Sequence, residues 1–127
     1  MNLEKVVFGF FIILAMTLNF GFFIGDLTDP AQHDVNELFA AIVVNLIASV
    51  LKLGDRTQVG AIHLAASLVA DLQLVAAAIL WAVAVHGTGA GLTPTTTASI
   101  VSLAGGAFLA NVVSVVLLII ETAMLRR

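Results

Sequence analysis

Four long, uninterrupted apolar runs constrain this chain more than any other feature. They occupy residues 6–25, 38–53, 59–85 and 97–120. The hydrocarbon core of a bilayer is about 30 Å thick, and a helix crosses it with about 20 apolar residues. Inside that core the backbone must satisfy its own hydrogen bonds, which leaves only helices or a closed barrel. Barrel strands alternate apolar and polar residues; these runs do not alternate. The expected fold is therefore all-α. Residues 1–127 form one polytopic membrane domain with four transmembrane helices. The second run is short and the third long, so their tilts should differ.

Composition narrows the function classes. Of 127 residues, 61% are hydrophobic and 10% charged. A soluble domain carries about 45–50% apolar and about 25% charged residues. Disorder needs the opposite balance of charge and hydrophobicity. Five Lys and Arg stand against eight Asp and Glu, so there is no basic stripe for a nucleic acid. The absence of cysteine removes disulfides, zinc ribbons, iron–sulfur clusters and thiol nucleophiles.

The connections set the topology. Residues 26–37 (DLTDPAQHDVNE) are polar, residues 54–58 (GDRTQ) make a tight turn, and residues 86–96 are rich in Gly and Thr. Thr95, Thr96 or Thr97 is expected to cap the fourth helix. Lys5, Lys52, Arg56, Arg126 and Arg127 all fall on one side of the membrane. The positive-inside rule then places both termini and the 54–58 turn in the cytoplasm. Such a bias argues against a protein that inserts both ways up. The first run lacks the cleavage pattern of a signal peptide and is read as a retained span. Trp81 sits where an interfacial anchor belongs.

Lipid is as apolar as leucine, so helices in a membrane associate through small residues and a few polar contacts. Ser102, Gly106, Ala110 and Ser114 make a stripe of small residues on the fourth run, read as a packing face. Ala61 with Ala65, and Ala66 with Ala70, repeat the pattern on the third.

The polar residues within the runs carry the functional reading. Asp71 lies deep in the third run, on the order of 20 Å along the helix from Arg56. An intramembrane carboxylate is costly and marks ion or proton sites. No Lys or Arg sits at its depth. Asp71 must therefore be protonated, hydrogen-bonded, wetted, or holding a cation. His63 and Ser67 precede it at helical spacing and share its face. Asn19, Asn45 and Asn111 put one amide in each remaining run. Asp71, Asn45, Asn111, Ser67 and His63 are thus the candidate ion or proton site. Asn45, Ser49 and Lys52 share a face leading to the rim. Asp26, Asp29, Asp34 and Glu37 form an acidic outer loop suited to concentrating cations. Glu121 is expected to pair with Arg126, Arg127 or Lys52. Gln73 points away from Asp71 and invites a partner in another subunit.

Enzyme signatures fail on geometry. His63, Ser67 and Asp71 stack along one helix and cannot form a hydrolase triad. Neither G-x-S-x-G nor H-E-x-x-H occurs. Gly25-Asp26 and Gly54-Asp55 fall at opposite membrane faces and cannot make an aspartyl dyad. No cofactor and no resident metal is expected.

Two stretches, MNLEKVVFGFFIILAMTLNFGFFIGD and FAAIVVNLIASVLKLGDRTQVGA, resemble a family of short four-span bacterial inner-membrane proteins catalogued as a domain of unknown function. The resemblance implies four spans in a bacterial inner membrane and assigns no activity. The residues themselves point to an oligomeric cation or proton channel or transport protein centred on Asp71. The alternative is a non-conducting accessory subunit of a larger membrane transporter. The lipid bilayer, and further copies of the chain, are the expected partners.

Overall fold

The computed structural model describes residues 3–87 and 89–125. It contains four helices: α1 (Leu3–Phe23), α2 (Val35–Lys52), α3 (Gln58–Ala82) and α4 (Pro94–Leu125). A 3-10 turn at Pro30–Gln32 precedes α2, and a π-turn at Val83–Gly87 prolongs α3. All four helices are long and apolar enough to cross a membrane, and no strand occurs among the described residues. The chain is all-α, as its apolar runs require.

The helices extend beyond the apolar runs because a helix need not stop at the lipid boundary. α1 takes in Glu4 and Lys5, and α4 takes in Glu121. Asp34 caps α2 by accepting from the Asn36 amide, and Thr57 caps α3 by accepting from the Gly60 amide. α4 starts earlier than expected, at Pro94, which suits a first helical turn that has no use for an N–H. The cap is therefore Thr93, whose Oγ1 accepts from the Thr96 amide at 3.2 Å, not Thr95, Thr96 or Thr97.

α1 packs against α2 and α4, and α3 packs against the same two helices. Short connections make neighbours antiparallel. The result is a ring of four, with both ends of the described chain at one end of the bundle. There the Lys5 ammonium meets the Glu121 carboxylate at 2.7 Å. We call this the terminal end. The opposite, loop end carries the connection from α1 to α2 and that from α3 to α4.

The apolar interior is divided. Towards the loop end, Phe22, Leu38, Leu74, Ile100 and Val101 pack with five alanines. Towards the terminal end, Phe8, Ile12 and Ala48 form a second cluster. Alanine lets backbones approach closely, which is how helices associate without a hydrophobic drive. Large apolar side chains such as Phe10, Leu72, Leu109 and Ile119 point outward, as lipid-facing residues do.

The small-residue stripe of α4 is not one packing face. Ser114 is buried, Gly106 and Ala110 are half-buried, and Ser102 is exposed. A step of four residues overshoots the helical period by about 40°, so the stripe winds outward towards the loop end. The inward line instead runs through Val101, Ala104, Ala107, Asn111 and Ser114. Likewise Ala66 and Ala70 are buried, whereas Ala61 and Ala65 face out. Gly106 has a specific duty. A Cβ there would lie 2.5 Å from Nε2 of Gln73. The Gln73 side chain is therefore seated against α4 of its own chain, and its Oε1 is buried there without a hydrogen-bond partner. Beside it, Gly105 admits the Phe23 ring, whose Cε1 a Cβ would meet at 2.7 Å.

Candidate functional site

The polar residues meet between the two apolar clusters. Asn19, Asn45, His63, Ser67, Asn111 and Ser114 are completely buried, and Asp71 nearly so. All four helices contribute, since each places its polar positions on the inward face. The α3 stripe of His63, Ser67 and Asp71 lies wholly on that face, as its spacing implies.

Three amides form a ladder across the bundle. Asn19 donates its Nδ2 to Oδ1 of Asn111. Asn111 donates to Oδ1 of Asn45 at 2.9 Å, and Asn45 donates to the Ala41 carbonyl at 2.8 Å. The ladder ties α1 to α4 and α4 to α2. All its bonds run in one direction, so each polarises the next.

Ser49 connects the ladder to α3. Its Oγ lies 3.0 Å from the Asn45 carbonyl oxygen and is also in close hydrogen-bond contact with Oδ2 of Asp71. A serine hydroxyl has one hydrogen, so it donates to only one of these oxygens. Both contacts are satisfied when Asp71 is a neutral acid: its O–H donates to Ser49, and Ser49 donates to the carbonyl. Sequence spacing put Ser49 on the face of Asn45 and Lys52 but did not reveal it as the partner of Asp71.

Several buried atoms have no partner within the protein: Oδ1 of Asp71, Oγ of Ser67, Oγ of Ser114, Oδ1 of Asn19 and both ring nitrogens of His63. Buried polar atoms left unpaired by protein ordinarily take ordered water. Those of α3 are spaced one turn apart, running from Asp71 towards the terminal end. The loop-end half of the interior is the apolar cluster of Phe22, Leu38 and Leu74. The polar file is therefore one-sided.

At the terminal end a recess of about 750 Å³ opens between the helix ends, lined by Lys5, Phe8, Lys52, Asp55, Arg56 and Glu121 among others. Glu121 pairs with Lys5 rather than with Lys52, because antiparallel α1 brings its start to the end of α4. Arg126 and Arg127, the other expected partners, lie outside the described residues. Lys52 reaches Asp55 at 3.4 Å and lies 4.2 Å from the centre of the Phe8 ring. The same ring meets His63 edge-on, with centroids 4.9 Å apart. Phe8 thus touches both a charged residue of the recess and the first polar residue of the file. Nothing in the sequence distinguished Phe8 from its aromatic neighbours.

The acidic loop is structured by its own carboxylates. Asp26 accepts from the Thr28 amide and hydroxyl, both at 3.0 Å. These two donors hold its carboxyl below the usual carboxylate range. Asp29 accepts from the Ala31 amide, Asp34 caps α2, and Glu37 lies against Gly21 of α1. Each shapes a turn or a helix start, and the loop lies at the bundle end farthest from the recess.

No curated protein and no solved structure matches the chain. A family model, described as a family of unknown function (DUF6394), matches residues 32–122. The match includes residues 39–61, the second of the two recognisable stretches, and begins after the first. It also includes Asn45, Ser49, His63, Ser67, Asp71 and Asn111. With most of its length matched, the chain belongs to the DUF6394 family, a family of unknown function.

Proposed function

We propose that this chain is a membrane transport protein whose cargo is the proton, bound at Asp71. The observation that carries the reading is Ser49, whose Oγ lies within hydrogen-bond reach of two oxygens, an arrangement that a neutral Asp71 donating to Ser49 satisfies in full. Asp71 is then a proton carrier held in a dry core, where an intramembrane carboxyl is functional by default. His63 and Ser67 supply the steps between it and the recess. A metal cation is less well served. The amide oxygens of Asn45 and Asn111 are already taken by their neighbours. Among the described residues no group of three or more His, Cys, Asp or Glu side chains is placed to hold a metal.

Orientation follows from the sequence. Lys5, Lys52 and Arg56 lie at the terminal end, so the positive-inside rule turns the recess to the cytoplasm of a bacterial inner membrane. Proton uptake is then from the cytoplasmic side.

A second reading, that of an accessory subunit packed against a larger transporter, is favoured by the apolar loop-end half. On that reading the polar layer only locks the bundle. The Gln73 side chain packs on Gly106, and its buried, unpartnered Oε1 still invites a partner from a second copy of the chain.

Proton, potassium and sodium flux in liposomes separates the readings. Wild type should carry protons and neither metal ion, and Asp71→Asn should carry none. A correctly folded wild type without flux, co-purifying with another transport protein, would favour the accessory subunit. Potassium or sodium flux that depends on Asp71 would replace the proton with a metal cation.

A further inference from the structure

We propose that His33 is an acid-closed latch, which as an imidazolium bolts residues 24–34 across the loop end of the bundle and lets go when it loses a ring proton. This goes beyond the reading of Asp71 and does not depend on it.

The latch rests on two contacts. The His33 ring is buried although most of its strap is exposed. Its Nδ1 contacts the backbone carbonyl of Phe22, and its Nε2 lies 2.6 Å from the backbone carbonyl of Asp26. A carbonyl oxygen only accepts. A neutral imidazole has one N–H, so its other nitrogen would turn a lone pair towards an oxygen at hydrogen-bond distance. The imidazolium donates from both nitrogens and satisfies both carbonyls. Phe22 lies in the last turn of α1, where unpaired carbonyls carry the negative end of the helix dipole and favour a cation.

The surroundings do not compete for that role. The strap itself carries the carboxylates of Asp26, Asp29 and Asp34. α1 presents the Phe22 ring, 5.6 Å away between centroids. α2 offers Val35, α3 offers Trp81, and α4 offers Thr97, Ile100 and Val101 around a cavity of about 20 Å³. None of these is an acid or a base. His86 contacts the Trp81 ring, with centroids 5.8 Å apart. Gly25, at φ +116°, makes the turn that brings the strap back over α1. The Gln32 side chain accepts from the Asp26 amide at 2.7 Å and closes the loop on itself.

The sign follows from proton counting. Where a free histidine is neutral, the closed strap holds one proton more than the released strap. Linkage then weakens closure as pH rises.

The chain's single tryptophan, Trp81, lies under the strap and reports its state. His86 would also change that emission, so the comparison is made in His86→Gln protein, in nanodiscs. As pH rises, Trp81 emission should shift to the red and its quenching by a soluble quencher should rise severalfold. His33→Gln added to that background should abolish the pH dependence. Nitrogen NMR of wild-type protein with labelled histidine gives a reading that needs no variant: at low pH both His33 ring nitrogens should carry hydrogen. A transition that survives His33→Gln, the absence of any transition, or a His33 ring with one bare nitrogen at low pH would each overturn the latch.

Discussion

Asn111 is the middle rung of the amide ladder, and replacing it with alanine tests whether that ladder holds the helices together. The substitution removes two bonds at once, the one received from Asn19 and the one given to Asn45. An interhelical hydrogen bond in a bilayer contributes about 0.6 kcal/mol on average and at most about 1.7. Two of them give an expected loss of about 1 to 3 kcal/mol. Asn19→Ala removes one rung and should cost about half as much. In a double-mutant cycle, Asn19 and Asn111 should couple by about 0.6 to 1.7 kcal/mol. Asn19 and Asn45, which share no hydrogen bond, should couple less. Reversible unfolding in bicelles, followed by steric trapping, measures these differences. An Asn111→Ala protein as stable as wild type, or a cycle without coupling, would refute the ladder as a structural element.

Three other expectations concern the framework. Gly105→Ala places a Cβ 2.7 Å from the Phe23 ring, so the protein should lose about 1 to 3 kcal/mol to overpacking; Phe23→Leu in the same chain should recover part of it in thermal unfolding. Gly106→Ala meets only the flexible end of Gln73; its smaller loss should vanish when Gln73→Ala is added. Asp55 accepts from the Thr57 amide and hydroxyl, which hold its carboxyl below the ordinary range. A depressed carboxyl contributes stability above the ordinary carboxylate value of about 4 and loses it as pH falls through the depressed value. The contribution of Asp55 to thermal stability should therefore be lost in acid, and Asp55→Asn should flatten that acid slope.

The helices were legible because the bilayer imposes one requirement, a continuous apolar run, that shows directly in composition. The shared face of His63, Ser67 and Asp71 was legible for a similar reason, since neighbours on a helix recur at a known spacing. The register between helices was not. It is decided by where small residues admit a neighbouring helix's side chain, as at Gly105 and Gly106, and no spacing along one helix reports it. Hence Ser49 as the partner of Asp71, Phe8 in contact with both recess and file, Lys5 as the mate of Glu121, and the seat of Gln73 emerge only in three dimensions. Ser102 shows the limit from the other side. A regular four-residue step reads as a stripe on paper and becomes a spiral on a helix of 3.6 residues per turn. His33 sits in a polar loop that sequence alone singled out only for its carboxylates.

The central claim is that Asp71 holds a proton in the bundle core and exchanges it with water from the recess. Infrared spectroscopy of the protein in bilayers near neutral pH tests this most directly. Wild type should show a protonated-carboxyl C=O band that is missing in Asp71→Asn and that shifts when the water is replaced by deuterium oxide. A spectrum with no band attributable to Asp71, or a band that refuses to exchange, would contradict the account.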